Sequence, residues 1–95
     1  MNQTEAEKVL IYRKDGTIER EEWRQEGLWH RAGAPAVVEY YSDGTIALED
    51  WCWEGQLHRA DGPARTFYRP DGTVEREERW EHGEWQGSAE KERGR

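Results

Sequence analysis

The sequence predicts an all-β protein, a single extended antiparallel sheet of three stacked 28-residue β-hairpin units. Three observations carry that expectation. The strings YRKDGTIEREEWRQEGLWHRAGAPA, YYSDGTIALEDWCWEGQLHRADGPA and YRPDGTVEREERWEHGEWQ start at Tyr12, Tyr40 and Tyr68 and align without a gap. A fixed period means one supersecondary unit stacked on copies of itself. Each copy also holds Asp-Gly between runs of alternating apolar and polar residues, and this pair favours a tight two-residue hairpin because both positions tolerate positive φ. Finally, only 34% of the chain is hydrophobic, yet that share includes six Trp and four Tyr. Rings that bury roughly 150 to 250 Å² each can hold a thin structure together.

Taken in order, residues 1–8 read as an N-terminal tail, 9–36, 37–64 and 65–87 as the three units of one domain, and 88–95 as a charged tail. Within a unit the first strand meets the turn at Asp15-Gly16, Asp43-Gly44 or Asp71-Gly72, and a second strand follows. A further break comes at Glu26-Gly27, Glu54-Gly55 and His82-Gly83. A third lies at AGAP and ADGP, where Pro35 and Pro63 can open the next strand without a backbone donor. Counting outward from two-residue Asp-Gly turns pairs Tyr12 with Glu19, Tyr40 with Ala47 and Tyr68 with Glu75. It also pairs Leu10 with Glu21, Val38 with Glu49 and Thr66 with Glu77, giving one face a tyrosine ladder with Trp23 and Trp51 further along it. On the other face Ile11 meets Arg20, Glu39 meets Leu48 and Phe67 meets Arg76. In the third unit the tryptophan moves one residue to Trp80, which turns a strand side chain to the opposite face, so a bulge or altered cap is expected there.

A chain of 95 residues allows one domain with a small core. Its formal charge of −7 opposes direct binding to nucleic acid or to an anionic membrane, both of which need a basic face, and favours a protein partner with a basic surface. The lone Cys52 has no internal disulfide partner, and no apolar run resembles a membrane span or a leader, so a cytoplasmic protein is expected.

His30 and His58 have the residue type of a metal ligand or general base. Their spacing of 28 matches no metal motif, so a hydrogen bond across the connecting turn is the expectation. Arg31 and Arg59 are expected to pair with acids of a neighbouring unit, and Cys52 to act as a small buried hydrophobe. The glycines lie in turns rather than ahead of a helix, so no phosphate cradle, cofactor, metal or catalytic set is expected. The acids Glu19, Glu21, Glu22, Glu49, Asp50, Glu75, Glu77 and Glu78 should form lines across the sheet. Two uses stand open. Arg20, Arg24, Arg76 and Arg79 can interleave and neutralise them, leaving a surface that discourages edge pairing. Alternatively, the acids form a charged ribbon that engages a basic groove, with Trp53 and Trp29 as exposed anchors; those two rings could equally be core.

The phrase DGTIALEDWCWEGQLHRADGPA resembles the MORN-repeat variants, whose hairpin units end in W…NG-x-x-HR-x-DGPA and which include YwqK-type proteins labelled as antitoxins. The resemblance covers residues 9 to about 87; Ala34 replaces the Gly before Pro35, and the last unit lacks the closing phrase. It implies a binding scaffold and names no ligand. With the charge, it leads to a non-enzymatic inhibitor that occludes a protein partner, of the antitoxin, immunity or phage anti-defence (anti-CRISPR) type. The alternative is a structural module that self-associates, as a homodimer, without an inhibitory role. MORN-type lipid binding is disfavoured by the acidic charge.

Overall fold

The computed structural model describes residues 6–92; the parts of the two expected tails at 1–5 and 93–95 lie outside the described residues. The described residues contain strands and no helix: β1 (Glu7–Tyr12), β2 (Ile18–Gln25), β3 (Leu28–Trp29), β4 (Val37–Tyr40), β5 (Ile46–Asp50), β6 (Cys52–Trp53), β7 (Gln56–Leu57), β8 (Arg65–Tyr68), β9 (Val74–Glu81) and β10 (Glu84–Glu90). One large antiparallel sheet runs β1-β2-β4-β5-β8-β9-β10, with β3 also paired to β2, while β6 and β7 form a separate two-stranded hairpin.

The Asp-Gly turns are not two-residue turns. Gly16 N–H donates to Arg13 O at 3.0 Å and Arg13 N–H to Thr17 O at 2.8 Å, and the same pair of bonds recurs at Tyr41/Gly44/Thr45 and Arg69/Gly72/Thr73. Only the glycine of each pair has positive φ, at 91°, 93° and 90°. The loop therefore has three residues, a hydrogen-bonded turn closed by a left-handed glycine. Asp stands before it to cap rather than to bend. Asp15 Oδ1 accepts from Thr17 N–H at 2.9 Å and from its hydroxyl at 2.6 Å, and Asp43–Thr45 and Asp71–Thr73 repeat the arrangement. The tight two-residue turns fall at the second break. There Glu26-Gly27, Glu54-Gly55 and His82-Gly83 have positive φ at both positions, as a type I′ turn requires.

This exchange of turn types corrects the register near each loop. Tyr12 pairs with Ile18, Tyr40 with Ile46 and Tyr68 with Val74, each next to an irregularity, instead of with Glu19, Ala47 and Glu75. Beyond the irregularity the count recovers, and Leu10–Glu21, Val38–Glu49, Thr66–Glu77, Ile11–Arg20, Glu39–Leu48 and Phe67–Arg76 are all observed.

At the C-terminal end, β10 runs back along β9 through Glu90, crossing the boundary expected at residue 87; at the other end β1 starts at Glu7 rather than at residue 9. The bulge expected near Trp80 lies on the facing strand, where Trp85 pairs with Trp80 and Gly87 with Arg79, leaving Gln86 extra. Gly87 adopts φ 128°, which a side chain would resist.

The molecule measures 55 × 37 × 17 Å, close to a single layer in its thin direction. Its buried apolar residues are few and small: Ala36, Val37, Val38, Cys52 and Ala64. With so little apolar volume, polar side chains must complete the interior, and Glu22, Asp50 and Thr66 are buried with them.

Candidate protein-binding face

Strand alternation sends neighbouring acids to opposite faces, and this divides the candidate residues. Glu22, Asp50 and Glu78 share the face of Val9, Val37 and Arg65, their cross-strand partners. Their side chains are only 1%, 4% and 13% exposed. Each carboxylate is held by arginine. Arg20 Nη2 lies 2.6 Å from Glu22 Oε2, and Arg24 donates to Oε1 through Nε at 2.8 Å and also through Nη2. Arg65 grips Asp50 with both ends of its fork, at 2.8 and 2.9 Å. Glu78 accepts from Arg76 Nε and from the Trp80 indole, each at 2.9 Å. Burial alone raises the Glu22 and Glu78 carboxyls, but hydrogen bonds from Arg24 and Trp29, or from Trp80 and Arg76, add to the guanidinium charges and leave both below the usual glutamate value. These three acids are interior groups and contribute no docking surface.

Glu21, Glu49 and Glu77 occupy the other face, on the row Leu10–Glu21–Val38–Glu49–Thr66–Glu77–Ala89. All three are half-buried. Each of the first two meets the tyrosine of the following hairpin: the Tyr68 hydroxyl donates to Glu49 Oε1 at 2.7 Å, and the Tyr40 phenol lies beside Glu21. Burial and the adjacent carboxylate raise both phenols, Tyr68 to about 12. Glu77 has Lys91 instead, its Nζ 3.6 Å from Oε1. Glu19 and Glu75 are exposed. Of the tryptophans weighed as anchors, Trp53 is 41% and Trp29 36% exposed.

The histidines bind between hairpins and not across their own turns. His30 Nδ1 accepts Glu54 N–H and His58 Nδ1 accepts His82 N–H, each at 3.0 Å. Their rings stack at 4.0 Å on Trp53 and 4.1 Å on His82. Arg31 and Arg59 do not pair with acids of a neighbouring unit. They lie over Trp23 and Trp51, their Cζ atoms 3.9 and 3.7 Å from the ring centroids, and donate to Pro35 O and Pro63 O. Arg59 also reaches Asp61 of its own loop at 3.3 Å. Cys52 is a buried free thiol, pushed up to about 12 chiefly by burial and then by the Asp50 charge.

A latch that sequence reasoning missed ties successive loops: Arg13 Nη2 and the Tyr41 hydroxyl each donate at 2.5 Å to the carbonyl of the next tyrosine, Tyr40 or Tyr68, and Arg69 reaches Lys91 O. The shared spacing of Arg13, Tyr41 and Arg69 was its only trace, since their chemistry differs. Between the first two loops lies a groove of about 470 Å³ bordered by Ile18, Glu21, Tyr40, Tyr41 and Asp43. Among the described residues no cluster of three or more His, Cys, Asp or Glu could hold a metal ion, and no helix is long and apolar enough to cross a membrane. No family model, curated protein or solved structure matches the chain.

Proposed function

We propose that the chain is three stacked 28-residue units of the MORN-like type, acting in the cytoplasm as a non-enzymatic inhibitor that occludes a protein partner with a basic surface. This is the mode of an antitoxin, an immunity protein or a phage anti-defence protein. The observation that supports it is the line of Glu21, Glu49 and Glu77 along one face, with Glu19 and Glu75 exposed near the loops. Carboxylates regularly spaced on a thin, open ribbon present a negative strip to a basic groove, and such charge complementarity steers encounter. The buried acids on the other face are already neutralised, so the binding face is the one bearing the tyrosines.

Co-purification from lysate at low and moderate salt tests the proposal. A saturable protein partner, released as salt screens the charges, is expected; its absence at low salt overturns the reading. A second reading, self-association, is favoured by β1, an edge strand whose Leu10 and Tyr12 are 37% and 56% exposed. Light scattering separates the two: a dimer that persists with no heterologous partner supports self-association.

A further inference from the structure

Resting on the binding face just described, we propose that the groove between the first two loops receives a cationic side chain, an arginine, of the partner. Its border combines the three features that guanidinium recognition needs. Glu21 supplies a carboxylate beside the Tyr40 phenol, with four lone-pair sites to offer a guanidinium fork. Tyr40 and Tyr41 border the groove, and aromatic rings there suit a planar cation. The surrounding charge is mostly negative: Glu49 also acts on the Tyr40 phenol, and Asp43 lies on the rim. The guanidinium of Arg13 is turned to the Tyr40 and Ile18 carbonyls. The volume of about 470 Å³ is ample for one long side chain.

The chain itself provides an independent indication of what this row of acids accepts. Glu21 and Glu49 face the tyrosines of the next hairpin, 19 residues further on. Where the spacing offers Glu77 no further tyrosine, the structure sets the Lys91 ammonium 3.6 Å from its carboxylate. The third acid of the row thus takes a cation from within the protein, and the groove at the first acid is open to one from outside.

Titration of the nitrogen-labelled full chain with a tri-arginine peptide, followed by amide chemical shifts, tests this. Saturable shifts confined to Gly16, Ile18, Tyr41 and Gly44 are expected, with weaker binding of tri-lysine. E21Q should weaken tri-arginine binding about tenfold or more, whereas E84Q, an equal change in charge at an exposed residue outside the groove and the proposed face, leaves it within about twofold. Y40F keeps the ring and removes the hydroxyl beside Glu21, and should retain binding. Shifts spread over every acidic patch, no saturation, or equal losses in E21Q and E84Q overturn the proposal. If the partner found by co-purification still binds E21Q at wild-type affinity, the groove is wrong while the inhibitor reading stands. If tri-arginine binds the groove but no protein partner is found, the reverse holds.

Discussion

Replacing Arg65 by Met should unfold the protein more readily than any other single change at an arginine. Arg65 occupies the cross-strand row where Val9 and Val37 stand, and it is the only cation within hydrogen-bond reach of Asp50 among the ion pairs of the described residues. The Asp50 side chain is 4% exposed and takes two charge-assisted bonds from the guanidinium, at 2.8 and 2.9 Å. Removing one partner of a buried pair typically costs about 3–5 kcal/mol, because the surviving charge stays desolvated. Arg65 is itself 32% exposed, so water enters at its outer end and the low end of that range applies, about 3 kcal/mol. That corresponds to a fall of more than about a hundredfold in the folding constant, and to a drop in Tm of roughly 12 to 24 °C for a domain of this size. Urea unfolding followed by tryptophan fluorescence measures it, with R65M, D50N and the double variant closing a cycle. A loss below about 1 kcal/mol for R65M, or strict additivity in the cycle, would refute the claim that this pair is coupled in the interior.

Three further outcomes follow from the same geometry. Tyr68 and Tyr40 have raised pKa values in the folded protein, so the unfolded chain loses these protons first; stability should therefore fall as pH rises above the ordinary tyrosine value of about 10, for Tyr68 up to about 12. Ultraviolet absorbance should show these two phenols ionising above the ordinary tyrosine value, and Y68F should flatten the alkaline loss of stability. At the acid end the sign reverses: Glu22 and Glu78 are held below their usual value, so the stability they confer is complete above that value and is lost as pH falls through it. E22Q should shrink this acid slope, and an unchanged slope would assign it elsewhere. G55A should cost more than G16A: both require positive φ, worth about 1–2 kcal/mol, but a Cβ at residue 55 would also lie 3.3 Å from Leu28 Cδ2, while residue 16 has nothing within 4 Å. Equal urea midpoints for the two would show that the contact between neighbouring tips carries no weight.

Much of the sheet was legible because strand chemistry is local. Alternation and a shared count from the loop placed Leu10 against Glu21 and Phe67 against Arg76, and both pairs are observed. Turn type was misread because Asp-Gly satisfies two different loops. The choice fell to the threonine after the glycine, whose N–H and hydroxyl draw the carboxylate into a cap. Glu-Gly and His-Gly, weaker signals for a two-residue turn, adopt it because strands on both sides impose the twist that only positive φ at both positions allows.

The candidate acids show the same division. Consecutive Glu21 and Glu22 are indistinguishable by composition, and parity alone says that they face opposite ways. It does not say which way is in. That depends on whether arginines two residues away on the same face reach the carboxylate, as Arg24 reaches Glu22 and Arg76 reaches Glu78.

The amino-acid sequence by itself determined an all-β chain, hairpins spaced 28 residues apart, a net charge of −7 and rows of acids in register. The tertiary structure decided that Glu22, Asp50 and Glu78 are interior ion-pair partners while Glu21, Glu49 and Glu77 line an accessible face. The physical reason is that alternation is a property of one strand, whereas burial is a property of what neighbouring strands and loops lay against it.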